Sequence, residues 1–155
     1  MTDEKVKQQH LKLIGEAPEF ATYIYSMKWI LLENKLGVPF WTSDNPVVRF
    51  NPLYHGPYGN LGYLSSGIRL HYPLTPQLTM VFCDPFHYEH QSTYNEVKMV
   101  DNVVFENSLQ AMQSARHLFS ISSDFSLADS ILDENPELRE IDRQSARARN
   151  PEGVW

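Results

Sequence analysis

The sequence predicts an α+β fold, an antiparallel sheet of about four to five strands with helices packed mainly on one face. Three observations lead there. Strand-like runs rich in aromatic and β-branched residues are joined by turns rather than by regular helical crossovers, helix-like periodicities stand in groups before and after them, and no internal repeat or low-complexity block interrupts the order.

Residues 2–14 have helical spacing but only Val6, Leu11 and Ile14 as apolar anchors, and Gly15 supplies a stop. Pro18 suits a first helical turn. From Glu19 to about Lys35, Phe20, Ile24, Met27 and Leu31 recur three or four apart, with Tyr23 and Ile30 widening the stripe, which predicts a helix ended by Gly37 and Pro39. Val38–Thr42 and Val47–Phe50 read as strands on either side of a polar corner. Asn51–Gly67, rich in Gly, Pro, Tyr, Asn and Ser, reads as a long loop, a length that compact domains reserve for function or mobility.

Ile68–Leu74 alternates, Thr75-Pro76-Gln77 turns, and Leu78–Cys83 runs apolar, so a hairpin is expected with a central second strand. A further helix begins either at Thr93, which stands at capping-box spacing from Glu96, or at Asp101 after an extended Val97–Val100. Val104, Ser108, Ala111 and Ala115 then form one small-residue face. Leu118–Ser122 reads as a last strand, and Asp124 as the cap of a short helix bearing Leu127 and Ile131. Residues 1–135 are thus expected to form one globular domain and 136–155 a charged helix and tail, in which Arg139, Arg143 and Arg147 share one side.

A chain of 155 residues can bury roughly 70 % of its unfolded surface, enough for a core without covalent staples. The single cysteine, Cys83, lies in an apolar run and reads as a small core residue, which excludes a disulfide framework. Thirteen Lys and Arg against nineteen Asp and Glu give a net charge of −6, which disfavours nucleic acid as a partner. Without a signal-like or membrane-length apolar run, a cytoplasmic protein with no membrane partner is expected.

The corner is the most informative segment. Thr42, Ser43, Asp44 and Asn45 carry side chains that bond neighbouring backbone N–H groups, and Pro46 keeps Asn45 out of the helical region, so the bend is expected to be rigid. Asp44 either holds the turn or is presented by it to a cleft. Trp29, Pro39-Phe40, Thr42-Ser43-Asp44-Asn45-Pro46, Tyr72-Pro73-Leu74-Thr75-Pro76, Asn107 in a helix ending at Ala115-Arg116, and the strand after it span about two thirds of the chain. In these pieces the chain resembles an uncharacterised bacterial family, domain of unknown function 4238. Longer members of that family begin with an additional segment carrying a His and Pro motif, and none precedes Lys28 here, so the resemblance is to the family's C-terminal part.

Two functions of different kind are compatible with these residues. The first is a non-catalytic domain that binds a protein partner or a second copy of itself through Tyr54, His55, Tyr58 and Tyr63, since Tyr offers a large contact area with a polar tip, together with Thr42, Ser43, Asn45 and Asn107. A buried Asn107 would bond the corner backbone. The second is a hydrolase, directed at a phosphodiester bond, with Asp44 and His71 as an acid–base pair in which the carboxylate orients the imidazole. Asp84, His87, Glu89 and His90 add polar groups in one loop, but lack a defined zinc spacing, and neither a metal nor a cofactor is expected. No phosphate-binding Gly-rich loop and no Gly-x-Ser-x-Gly elbow occurs.

Overall fold

The computed structural model describes Gly15, residues 17–54 and residues 60–140. Residues 17–26 form helix α1, and Met27 closes its last turn by donating its N–H to the Ile24 carbonyl. The chain then becomes extended. Strand β1, Lys28–Asn34, occupies most of the second half of the predicted helix. The spacing misled because Trp29–Leu32 is a short apolar run, which satisfies helical spacing as readily as it fills a strand, and only its pairing with β5 and β6 decides.

Strands β2 (Thr42–Ser43), β3 (Val48–Phe50), β4 (Arg69–Thr75), β5 (Leu78–Cys83) and β6 (Tyr94–Val97) precede helix α2 (Val100–Gln113), and strand β7 (Leu118–Phe119) precedes helix α3 (Ser126–Glu134). Among the described residues the main sheet has the order β3-β4-β5-β1-β6, and β2 pairs with β7 in a small second sheet. The fold is α+β. The predicted hairpin is β4–β5, and β5 is the middle strand. All pairs in the main sheet are antiparallel except β1–β6, which is parallel and makes the sheet mixed. Thr93 therefore starts no helix; the residues after it complete the sheet, and α2 begins at Val100 with Asp101 in its first turn.

Residues paired across a sheet share a face. One face carries the row Val48, His71, Val81 and Ile30 and the row Phe50, Arg69 and Cys83. Helix α2 packs over this face. The opposite face carries Leu70, Phe82 and Trp29, and there α1 contributes Ile24 beside Met27 and Ile68. The helix α3 packs on α2, where Trp41, Ala111 and Ala128 form a cluster with Phe125 and Ile131.

The buried side of α2 is not the expected small-residue face. Val104 is exposed and Ala115 lies beyond the helix, whereas Val103, Glu106, Asn107, Leu109, Gln110 and Ala111 are buried. Three of those six are polar, and each has partners across the interface. The predicted strand at 38–42 is reduced to Thr42–Ser43: the Pro39 carbonyl and Trp41 N–H bond to Asn107 of α2, the Val38 carbonyl to the Asn34 side chain, and the Phe40 N–H to the Pro76 carbonyl. The predicted strand at 118–122 is likewise reduced to Leu118–Phe119. Pro136–Arg139 forms a single 3-10 turn. The predicted helix at 2–14 and the charged segment after residue 140 lie outside the described residues. No described helix is long and apolar enough to cross a membrane.

Candidate functional site

Asn107, Gln110 and Gln113 stand three residues apart, so they line one side of α2, and each grips the segment that runs past it. The Asn107 Oδ1 accepts the Trp41 N–H at 2.8 Å and its Nδ2 donates to the Pro39 carbonyl at 3.0 Å. Gln110 accepts from the Ser43 hydroxyl at 2.8 Å and donates to the Pro46 carbonyl at 3.0 Å. Gln113 accepts the Arg49 N–H at 3.0 Å and donates to the Arg49 carbonyl at 2.8 Å. The predicted polar bend lies against α2 and is bonded to it by this row of amides.

Within the bend, Ser43 also accepts the Asn45 N–H, and the Asn45 side chain donates to the Gln113 carbonyl. Thr42 pairs with Phe119 through the backbone. The Asp44 carboxylate accepts the N–H groups of Ala115 and Arg116 at 2.9 and 2.8 Å. Burial pushes the Asp44 carboxyl up, but the backbone N–H groups of Ala115, His117 and Arg116 outweigh it, so the group lies below the usual aspartate range. Asp44 thus binds just past the end of α2.

His71 binds elsewhere. Its Nδ1 lies 3.0 and 2.9 Å from the two oxygens of Glu106, midway along α2. Seven residues, or roughly 10 Å of helix, separate Glu106 from Gln113 at the end where Asp44 is held. The structure therefore pairs His71 with Glu106 and does not bring Asp44 to it. His71 and Glu106 are 2 % and 8 % exposed. A carboxylate only accepts, so Nδ1 carries the proton between them and Nε2 is left for another partner. Nε2 is buried and has none among the described residues.

The space beside His71 is a half-open pocket of about 260 Å³ lined by Arg69, His71, Cys83, Tyr88, Gln91 and Glu106 among others. The guanidinium of Arg69 lies over the rings of both Phe50 and Tyr88, 5.3 Å from each centroid. Tyr88 is fixed in turn: its hydroxyl donates to the Gly67 carbonyl at 3.2 Å, and the Gly67 N–H donates to Asp84 at 2.9 Å. Gly67 has φ of +78°, and a Cβ there would come within 2.6 Å of the Leu53 side chain. Asp84 also accepts the Phe86 N–H, so it supports the pocket wall from behind. Burial pushes the Cys83 thiol up to about 11 and the Tyr88 phenol above its ordinary value.

The remaining sequence candidates are dispersed. Tyr63 meets Phe20 edge-on at 5.6 Å and lies under the Arg49 guanidinium, whereas Tyr54 is exposed. His55 and Tyr58 lie outside the described residues. His87 stacks edge-on against Tyr88, His90 is exposed, and the Glu89 carbonyl accepts from Lys28. Among the described residues no three His, Cys, Asp or Glu side chains are placed to share a metal ion.

Sequence reasoning missed Arg69, Glu106, Gln110 and Gln113. For the two glutamines a signal existed in their three-residue spacing from Asn107. For Glu106 there was none, since its partner is 35 residues away on another element.

A family model described as a protein of unknown function (DUF4238) matches residues 2–124. The chain belongs to this family. The DUF4238 match covers the corner, the hairpin and α2, hence every residue of the pocket and of the amide row. No curated protein and no solved structure matches the chain.

Proposed function

We propose that this DUF4238 chain is a hydrolase that works by general acid–base catalysis at His71. What supports the reading is the buried His71–Glu106 pair on the wall of a pocket of mixed polar and apolar lining, with the second imidazole nitrogen unpartnered among the described residues. Glu106 is the positioning residue: by holding Nδ1–H it fixes the tautomer and ring orientation. Nε2 then takes a proton from a water molecule attacking an ester or phosphodiester and returns it to the leaving oxygen. Asp44 has no part in this step, and its role is to hold the corner.

The test is a turnover screen of aryl esters, phosphomonoesters and phosphodiesters with the wild-type chain, His71→Asn and Glu106→Gln. Turnover that falls by roughly 100-fold or more in His71→Asn, with the fold retained by circular dichroism, is the expected result. Absence of turnover across the panel, or turnover indifferent to His71→Asn, removes the proposal.

A second reading, an interaction domain for a protein partner or another copy of the chain, draws support from one surface. Phe20, Tyr23, Tyr63 and Leu64 border an open concavity of about 560 Å³, and Leu64 is 76 % exposed. Sedimentation of the wild-type chain against Leu64→Asp tests it: a single monomeric species in both, with no partner that distinguishes them, speaks against the contact.

A further inference from the structure

We infer that the pocket beside His71 is an oxyanion-binding site, and that Arg69 is the residue that takes the negative group of the substrate. This deepens the reading of His71 as an acid–base centre and rests on it for the word substrate; the binding site itself stands on separate observations.

The first is a half-buried cation that bonds the Tyr88 phenol but faces no carboxylate partner. A guanidinium removed from water is costly unless an anion or a set of acceptors compensates it. Among the described residues, no carboxylate forms an ion pair with Arg69. The two nearby acids are already committed, Glu106 to His71 and Asp84 to the N–H groups of Gly67 and Phe86. The Arg69 Nε is buried and has no hydrogen-bond acceptor among the described residues.

The second is preorganisation. The guanidinium lies over the rings of Phe50 and Tyr88, which restrict it, and its Nε edge has no acceptor among the described residues. Such an edge matches the two oxygens of a carboxylate or a phosphate. The third is convergence. Arg69 and His71 are alternate residues of β4 and so point to the same face, and both border the same pocket. Each carries a buried nitrogen without a partner among the described residues, and an oxyanion bound to Arg69 is the group that places a scissile bond next to His71 Nε2. At about 260 Å³ the pocket has room for roughly eight waters, enough for a phosphate or carboxylate with a small remainder attached.

The probes are inorganic phosphate and acetate, each titrated into the wild-type chain at constant ionic strength with chloride as the control. The observables are the side-chain ¹⁵N resonances of Arg69 Nε and His71. A saturable shift at both residues with phosphate, acetate or both, but not with chloride, is expected, and the stronger anion identifies the class. In Arg69→Gln the affinity should fall by roughly 10- to 100-fold, and Arg69→Lys should retain part of it. Equal shifts with chloride, no saturable shift at either residue, or undiminished binding in a folded Arg69→Gln overturns the inference. The wild-type resonances decide the matter where Arg69→Gln does not fold. Anion binding without turnover in any hydrolase assay would remove the proposed reaction and leave the site, whereas His71-dependent turnover without anion binding would do the reverse.

Discussion

Asn107 grips the backbone on both sides of Phe40, accepting the Trp41 N–H through Oδ1 and donating from Nδ2 to the Pro39 carbonyl. One side chain thus satisfies two main-chain groups in a stretch that has left the sheet, with Trp41 and Phe40 both buried. Asn107→Ala strands both groups, and each lost partner costs about 1–3 kcal/mol. The expected loss is about 2–6 kcal/mol in urea-induced unfolding. A value near zero would mean that the corner does not depend on α2.

Gln113 performs a related task at the sheet edge. Its amide accepts from and donates to the same residue, Arg49 in β3, as a neighbouring strand would. An edge strand with open backbone groups invites pairing with other chains, and here one side chain closes it. Gln113→Ala should cost roughly 1–2 kcal/mol and speed hydrogen exchange at the Arg49 amide selectively. Uniform acceleration across β3 and β4 would instead indicate a general loosening.

How far the sequence carries can be followed through these residues. The β4–β5 hairpin is legible because two strand-like runs flank a Thr-Pro-Gln turn. Asn107 is legible as a corner ligand because a buried amide must be paired. Lys28–Asn34 is not, since Met27, Ile30 and Leu31 satisfy helical spacing, and only the pairing of β1 with both β5 and β6 decides against it. Glu106 escapes for a similar reason. A carboxylate on a helix reads as solvated, and nothing local announces that the sheet places a histidine opposite it. The small-residue stripe of α2 fails because apolar periodicity takes no account of a polar face that is buried and fully paired.

Asp44 and Asp84 should make the fold sensitive to acid. For both, burial raises the carboxyl and backbone N–H groups lower it by more, so the folded value lies below the ordinary 3.8. The unfolded chain then binds protons more readily. The stabilisation is fully present above the unfolded value and is lost as pH falls through the folded one. Stability should therefore decline below about pH 4, and Asp84→Asn should flatten that decline, as measured by urea unfolding across the acid range. An unchanged slope in Asp84→Asn would assign the acid sensitivity to other groups.

Cys83 offers a probe of the pocket wall from within. It is 1 % exposed, and burial pushes its thiol up to about 11, so little thiolate is present near neutrality and little of the sulfur is reachable. The raised value means that the folded state is favoured by the neutral thiol below its unfolded value of 9.0 and loses that contribution as pH climbs towards about 11. At pH 8, alkylation by iodoacetamide should be slow in the native chain and should accelerate with urea in proportion to the unfolded population. Rapid labelling in native buffer would show that the wall formed by β4 and β5 opens locally, and that the pocket beside His71 is not held in the form described.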